Sequence, residues 1–394
     1  MDTLESANSH NVKNYNFFAY ELLISIGLTL ILWKAGRVLP FLGIGELLVF
    51  IAVYFGLILY LLNHNKIIIN DIGKYYALVA LFYFGALVPM MSLINYGRVP
   101  GVNLINIFAY LLSCSLIFVV AMLRMNTQRI ATMSLYFIIA FTFLTLVFGG
   151  SDIWYHNRFI GPAENPNRLA LYAISLLVLT PQIRFNNKFL LTSVFLVCLL
   201  ILIQTGSDAS RLGLAAGFIS YIFFLTFRSI YFGPITFLIL VLSTLFIIWN
   251  FELITITLTN LWYLASSGDY RINLLLNGIE AWTSNFISLF FGFGAGVYSG
   301  FAGPFQGWEA HSTLIDMLTI AGILGTIIFY FPAAYSIVVF VRHRKNFLAA
   351  LIIAIIIFSL FNYIGRHPIY WLTMFISMVN ANALTKKLKN DTHF

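Results

Sequence analysis

The sequence predicts an all-α integral membrane protein of about twelve transmembrane helices, on three observations. The composition is 60% hydrophobic and only 9% charged, with a mean hydropathy of +0.91. Apolar runs of about 18–25 residues recur along the 394-residue chain, the length a helix needs to cross a hydrocarbon core. Between those runs Lys and Arg gather in alternate loops, as expected when cytoplasmic loops carry the positive charge. The 39 Phe and 21 Tyr suit a lipid-facing surface with interfacial anchors.

Taken in order, the apolar runs place spans near 17–36, 40–62, 75–95, 103–123, 130–149, 167–183, 189–205, 211–227, 231–249, 313–341, 347–364 and 368–385. The first 16 residues are polar and the first apolar run is already a full span, so no cleavable signal peptide is expected. With a cytoplasmic N-terminus the inward loops hold Lys66 and Lys74, Arg124 and Arg129, Arg184 and Lys188, Arg228, and the run Arg342-His343-Arg344-Lys345. An even number of spans returns the tail, with Lys386, Lys387 and Lys389, to the same side. Four regions result: N-terminal helices 1–149, central helices 150–249 with an outer loop at 150–166, a large outer loop at 250–312, and C-terminal helices with a basic tail at 313–394. Cys114 and Cys198 sit inside apolar runs and read as buried small hydrophobes. The net charge of +8 follows from the loop bias, and no nucleic-acid partner is implied.

The remaining cations all fall on the outward side: Lys34, Arg37, Arg98, Arg158, Arg168, Arg211, Arg271 and Arg366. Arginine stays charged and grips phosphate oxygens in a bidentate fork, so this bias points to an outward site for a phosphorylated, lipid-linked substrate. Arg211 opens the eighth span, where its guanidinium and the free N–H groups of a helix start would form one anion site. The competing reading is an interfacial Arg paired with Asp208. Tyr270 and Arg271 start an amphipathic run to Trp282, with Asp269 as a local partner for the Arg. Pro166 and Asn167 read as a helix start that presents Arg168, and Gly365-Arg366-His367-Pro368 repeats that arrangement. His311 stands where the large loop enters the tenth span, with Glu309 and Asp316 as nearby acids. Such a His can take a proton from a hydroxyl or orient it, or it can cap the helix together with Ser312. There is no P-loop, GxGxxG, HExxH, Cys/His metal cluster or outward acidic pair, so no cofactor is expected and phosphate charge is left to arginine.

The order Asn165-Pro166-Asn167-Arg168, Ser210-Arg211-x-Gly213, Arg271, Gly292-Phe-Gly294-x-Gly296, Ala310-His311-Ser312 and Gly322-x-x-Gly325 resembles the O-antigen polymerase and O-antigen ligase superfamily of bacterial surface-polysaccharide assembly. The likeness runs through roughly residues 150–340. It implies a GT-C-like glycosyltransferase of the inner membrane. Such an enzyme would move glycan from undecaprenyl pyrophosphate to an acceptor hydroxyl on the periplasmic side, without metal and with inversion. Arg211 and Arg271 would then hold the pyrophosphate. Arg158, Arg168, Arg366, Asn167 and Tyr270 would bind the donor or glycan, and His311, Glu309 or Asp316 would serve as base. A chain-length regulator protein is an expected partner alongside the lipid bilayer. Ser312 stands where the ligases typically have Asn, which favours a polymerase over a ligase acting on lipid A core. A flippase of lipid-linked sugars is the alternative from another class. It would line its path with cations, whereas the deep spans here hold almost none.

Overall fold

The structure, a computed structural model, describes residues 17–33, 37–39, 42–63, 71–95, 104–183, 188–226, 270–296 and 308–391. The expected span at 231–249 lies outside them, as do Lys34, Lys66, Arg98, Arg184, Arg228 and Asp269, and most of the large loop. The side chains of Arg37 and Tyr270 do too. About 83% of the described residues are helical. The helices are α1 (Phe18–Ile31), α2 (Ile44–Asn63), α3 (Ile72–Phe82), α4 (Val88–Asn95), α5 (Leu104–Met122), α6 (Thr127–Phe148), α7 (Pro166–Leu179), α8 (Lys188–Gln204) and α9 (Asp208–Thr226). They continue as α10 (Tyr270–Thr283), α11 (Phe286–Phe291), α12 (Thr313–Arg342), α13 (Asn346–Leu360) and α14 (Pro368–Asp391). A π-helical turn, Tyr83–Leu87, joins α3 to α4 into one continuous rod.

Among the described residues six stretches are long and apolar enough to cross a membrane: 44–62, 72–95, 105–122, 127–148, 208–226 and 313–342. Their outer faces leave Phe82, Phe148 and Phe218 between 67% and 79% exposed, which water would penalise and lipid accepts. The chain therefore has the helices and the surface of a membrane protein. Between helices, where lipid gives no hydrophobic drive, close approach has to supply the attraction. Gly213 and Gly217, four residues apart on α9, provide it. A Cβ at either would lie 2.5 Å and 2.9 Å from the carbonyl oxygens of Ala354 and Ala350 on α13. Elsewhere the core is aromatic: Phe84, Phe329 and Trp371 meet with ring centroids 5.0–6.5 Å apart, largely edge to face.

One break in this regularity positions the site. Gly322 takes φ 62° and ψ −169° within α12, a conformation essentially restricted to glycine. The break strips the preceding carbonyls of their helical donors, and outside partners replace them. Phe293 N donates to Thr319 O at 2.8 Å, Gly294 N to Ile320 O at 2.9 Å, and the Tyr83 hydroxyl to Ala321 O at 2.7 Å. Asn95 Nδ2 holds the same segment by donating to Phe293 O at 2.8 Å. Left unpaired in an apolar bundle, each carbonyl would cost several kcal/mol. Gly322→Ala is expected to cost at least about 1–3 kcal/mol from backbone strain alone. Its Cβ would also sit 2.2 Å from the Phe290 carbonyl carbon. Melting of the purified protein in detergent checks this, and an unchanged melting temperature would contradict the constraint.

The opposite end of the bundle is pinned by a carboxylate. Glu21, 2% exposed, accepts from Arg129 Nη1 at 2.8 Å and from Asn126 N at 2.7 Å. That contact holds α1 against the turn between α5 and α6.

Candidate functional site

The start of α12 is built around His311, which takes φ 54°, a left-handed conformation that a non-glycine residue adopts only when its surroundings enforce it. The enforcement is visible. Asp316, one turn into the helix, reaches back so that its Oδ1 accepts from Ala310 N at 2.8 Å. Ser312 occupies the N-cap but makes no side-chain capping bond, so the expected capping role is not what holds the turn. The Thr313 hydroxyl donates to Asn362 O and accepts from Ile364 N at 2.9 Å, which ties this turn to the 361–367 loop. Trp371 Nε1 donates to Gly365 O at 2.6 Å and fixes the far side of that loop. Arg366 is thereby aimed at Glu309, with Nη1 to Oε1 at 2.6 Å, and its guanidinium also covers the Tyr363 ring at 5.5 Å.

The facing wall comes from the start of α7. Asn165 caps that helix, its Oδ1 accepting from Arg168 N at 2.8 Å, and Pro166 follows at the first helical position. Arg168 donates through Nη2 to Ile31 O at the end of α1 and pairs with Glu164 at 3.5 Å. Arg158 reaches across from a small hairpin, β3 (Trp154–Tyr155) and β4 (Arg158–Phe159), beyond β1 (Arg37–Leu39) and β2 (Leu42–Gly43). Its turn residues His156 and Asn157 both have positive φ, as a two-residue hairpin turn of the primed type requires. Arg158 Nε donates to Thr205 O at 2.9 Å and Nη2 to Asn167 Oδ1 at 3.2 Å. Arg158 and Arg168 thus each spend part of their guanidinium on a carbonyl at a helix C-terminus, where a cation is favoured.

Between these walls lies a cavity of about 450 Å³. The structure brings Arg168, Asn167, Glu309, His311 and Arg366 together along it. Arg158 braces Asn167 from outside, and Asp316 lies buried beneath, its Oδ2 without a hydrogen-bond partner among the described residues. Arg211 is not among the lining residues. It is 64% exposed at the start of α9 and 3.2 Å from Asp208, the pair anticipated as its alternative role. Arg271 is exposed at the start of α10 and also stands apart from the lining. Residues not anticipated as site residues join the cavity: Glu46, Glu164, Asn362 and His367. Glu46 carried a signal, since a carboxylate inside an apolar run is costly and functional by default. The others lie in loops whose meeting no local pattern announces. Among the described residues no group of three or more His, Cys, Asp and Glu side chains is placed to hold a metal ion.

His367 lines the cavity and is half-buried. Burial, with Arg168 and Arg366 nearby, holds its imidazole well below the usual 6.5. The folded ring therefore stays neutral while the unfolded one takes a proton as pH falls below about 6.5, so stability declines in that direction. His367→Asn is expected to flatten the fall in melting temperature between about pH 6.5 and 5. An equally steep fall in the variant would assign the decline to other groups.

The cavity holds both signs of charge, with Arg168 and Arg366 against Glu46, Glu164 and Glu309, alongside amide and aromatic side chains. Such a surface suits a hydroxyl-rich, largely neutral ligand better than a polyanion. No protein-family model matches the chain, and no curated protein sequence matches it.

Proposed function

We propose that this chain is an integral-membrane glycosyltransferase, GT-C-like with about twelve spans, that polymerises oligosaccharide repeat units carried on undecaprenyl pyrophosphate. The observation that carries the reading is the cavity at one end of the bundle, where His311, Glu309, Arg366, Arg168 and Asn167 converge. Its volume of about 450 Å³ lies within the range of small-ligand sites, roughly 300–1,000 Å³. In this reading the cavity takes the acceptor sugar, and the exposed Arg211 and Arg271 take the donor pyrophosphate. The acceptor hydroxyl oxygen bonds to the anomeric carbon from the face opposite the pyrophosphate. The bond from that carbon to the pyrophosphate oxygen breaks, and configuration inverts. Arginine offsets the charge that develops on the departing pyrophosphate.

The hydroxyl proton goes to His311. Glu309 already has its carboxylate engaged by Arg366, whereas the His311 ring makes no hydrogen bond among the described residues. Asp316 is the positioning residue, because it holds the strained turn on which His311 sits. The site faces the periplasm of a bacterial inner membrane, both termini are cytoplasmic, and a chain-length regulator acts on the product.

The test supplies purified protein in nanodiscs with an undecaprenyl-pyrophosphate-linked repeat unit as sole substrate. A ladder of products is expected by gel or mass spectrometry. Transfer only after lipid A core is added would replace polymerase by ligase. No product from an authentic substrate under either condition would overturn the transferase reading in favour of transport.

A further inference from the structure

A second cavity, of about 610 Å³, lies at the opposite end of the bundle and has no part in the chemistry above. Part of its lining is a polar network. Gln182 Nε2 donates to the Ser377 hydroxyl at 2.9 Å, Asn380 Nδ2 to Gln182 Oε1 at 3.0 Å, and Gln128 Nε2 to Asn380 Oδ1 at 3.4 Å. The network stops at one open acceptor, since Gln128 Oε1 is buried without a partner among the described residues. A buried acceptor in that state is costly unless a ligand supplies the donor.

The cationic part of the lining is Arg344 and Lys345, from the tight turn between α12 and α13. Arg344 has φ 59° and both side chains are exposed, and neither has an ion-pair partner among the described residues. No carboxylate lines the cavity among the described residues. The apolar part, including Tyr221 and Leu225, continues onto the outer face of α9, where Phe218 and Ile222 are exposed. The turn also sits at headgroup height. It follows directly on the stretch 313–342, which is long and apolar enough to cross a membrane.

We propose that this cavity binds the headgroup of one anionic glycerophospholipid that carries a free hydroxyl, with the chemistry of phosphatidylglycerol. The phosphate lies between Arg344 and Lys345, the headgroup hydroxyl donates to Gln128 Oε1, and the acyl chains run along the exposed apolar face of α9. Two uncompensated cations set the preference over a zwitterionic lipid at about 30-fold.

Native mass spectrometry of the full chain, released from nanodiscs of equal phosphatidylglycerol and phosphatidylcholine, tests this without any glycan substrate. The wild type is expected to retain one phosphatidylglycerol. Arg344→Gln with Lys345→Gln should lower that retention about 30-fold. The charge-matched pair Arg124→Gln with Lys386→Gln, at the same end but on another cavity, should retain it. If the double variant does not fold, each single variant decides in the same way, with a loss of about 5-fold. Equal retention of the two lipids by the wild type, or undiminished retention by the variants, overturns the proposal. Displacement of the lipid by millimolar glycerol phosphate would also overturn it, by making the cavity a site for small soluble anions.

Discussion

Arg211→Ala is expected to reduce glycan transfer by about 10²–10³-fold without lowering the yield of folded protein. The two halves of that result come from different observations. The size of the loss follows from the role, because removing one preorganised group that stabilises developing charge typically costs that much. The intact fold follows from the placement. Arg211 is 64% exposed, and its one ion pair among the described residues is with Asp208, itself 87% exposed. Pairs so open to water contribute little, since screening and side-chain entropy offset most of the attraction. A rate loss at Arg211 therefore cannot be blamed on a damaged core. Arg271→Ala should behave alike, from its exposed position at the start of α10. Arg211→Lys should recover little, because a point charge does not reproduce the bidentate fork. Asp208→Asn serves as the control, as it removes the partner but leaves the guanidinium in place. Initial rates on the lipid-linked repeat unit, beside size-exclusion profiles, give both readouts. Near-normal transfer with both arginines replaced would refute the assignment of pyrophosphate to them.

The same contrast marks what the sequence could and could not disclose. The start of α7 was legible because its determinants are adjacent: Asn165 caps, Pro166 follows, and Arg168 comes two residues later. The helix from Arg271 to Trp282 was legible from its amphipathic period, and α10 covers it. Charge was legible too, but not how it is spent. Arg158 and Arg168 read as uncommitted cations, because nothing local shows that the ends of α8 and α1 would present carbonyls to them. Gly292-Phe-Gly294 and Gly322 both stood out as motifs. Their shared purpose, one loop segment replacing the helical donors lost at a break about 30 residues later, exists only once the segments touch. The Gly213–Gly217 spacing is a packing signal that the sequence carries in plain form, yet its partners on α13 lie more than 130 residues away. Local caps and periods are written next to the atoms they govern. Convergent sites such as the pairing of Glu309 with Arg366 are written only in the topology.

Replacing His311 by glycine is expected to lower glycan transfer by about 10²–10⁴-fold and to leave stability equal to or above that of the wild type. The backbone dictates that choice of residue. At φ 54°, a side chain is strained and glycine is not, so His311→Gly relieves the turn while deleting only the ring. Alanine would leave the strain in place and mix the two effects. The variant also opens a direct test of the ring's role. Imidazole added to His311→Gly should restore part of the rate, because a diffusible base can enter a cavity of about 450 Å³ at the position the ring vacates. That rescue should grow with pH as neutral imidazole accumulates, since only the neutral form accepts a proton. No rescue by imidazole, with transfer still lost, would mean that His311 orients the acceptor without taking its proton. Loss in Glu309→Gln would not be equally decisive, because that change also releases Arg366 from its 2.6 Å contact. Wild-type rates in His311→Gly would remove the residue from the mechanism altogether and leave its strained backbone without a functional cause.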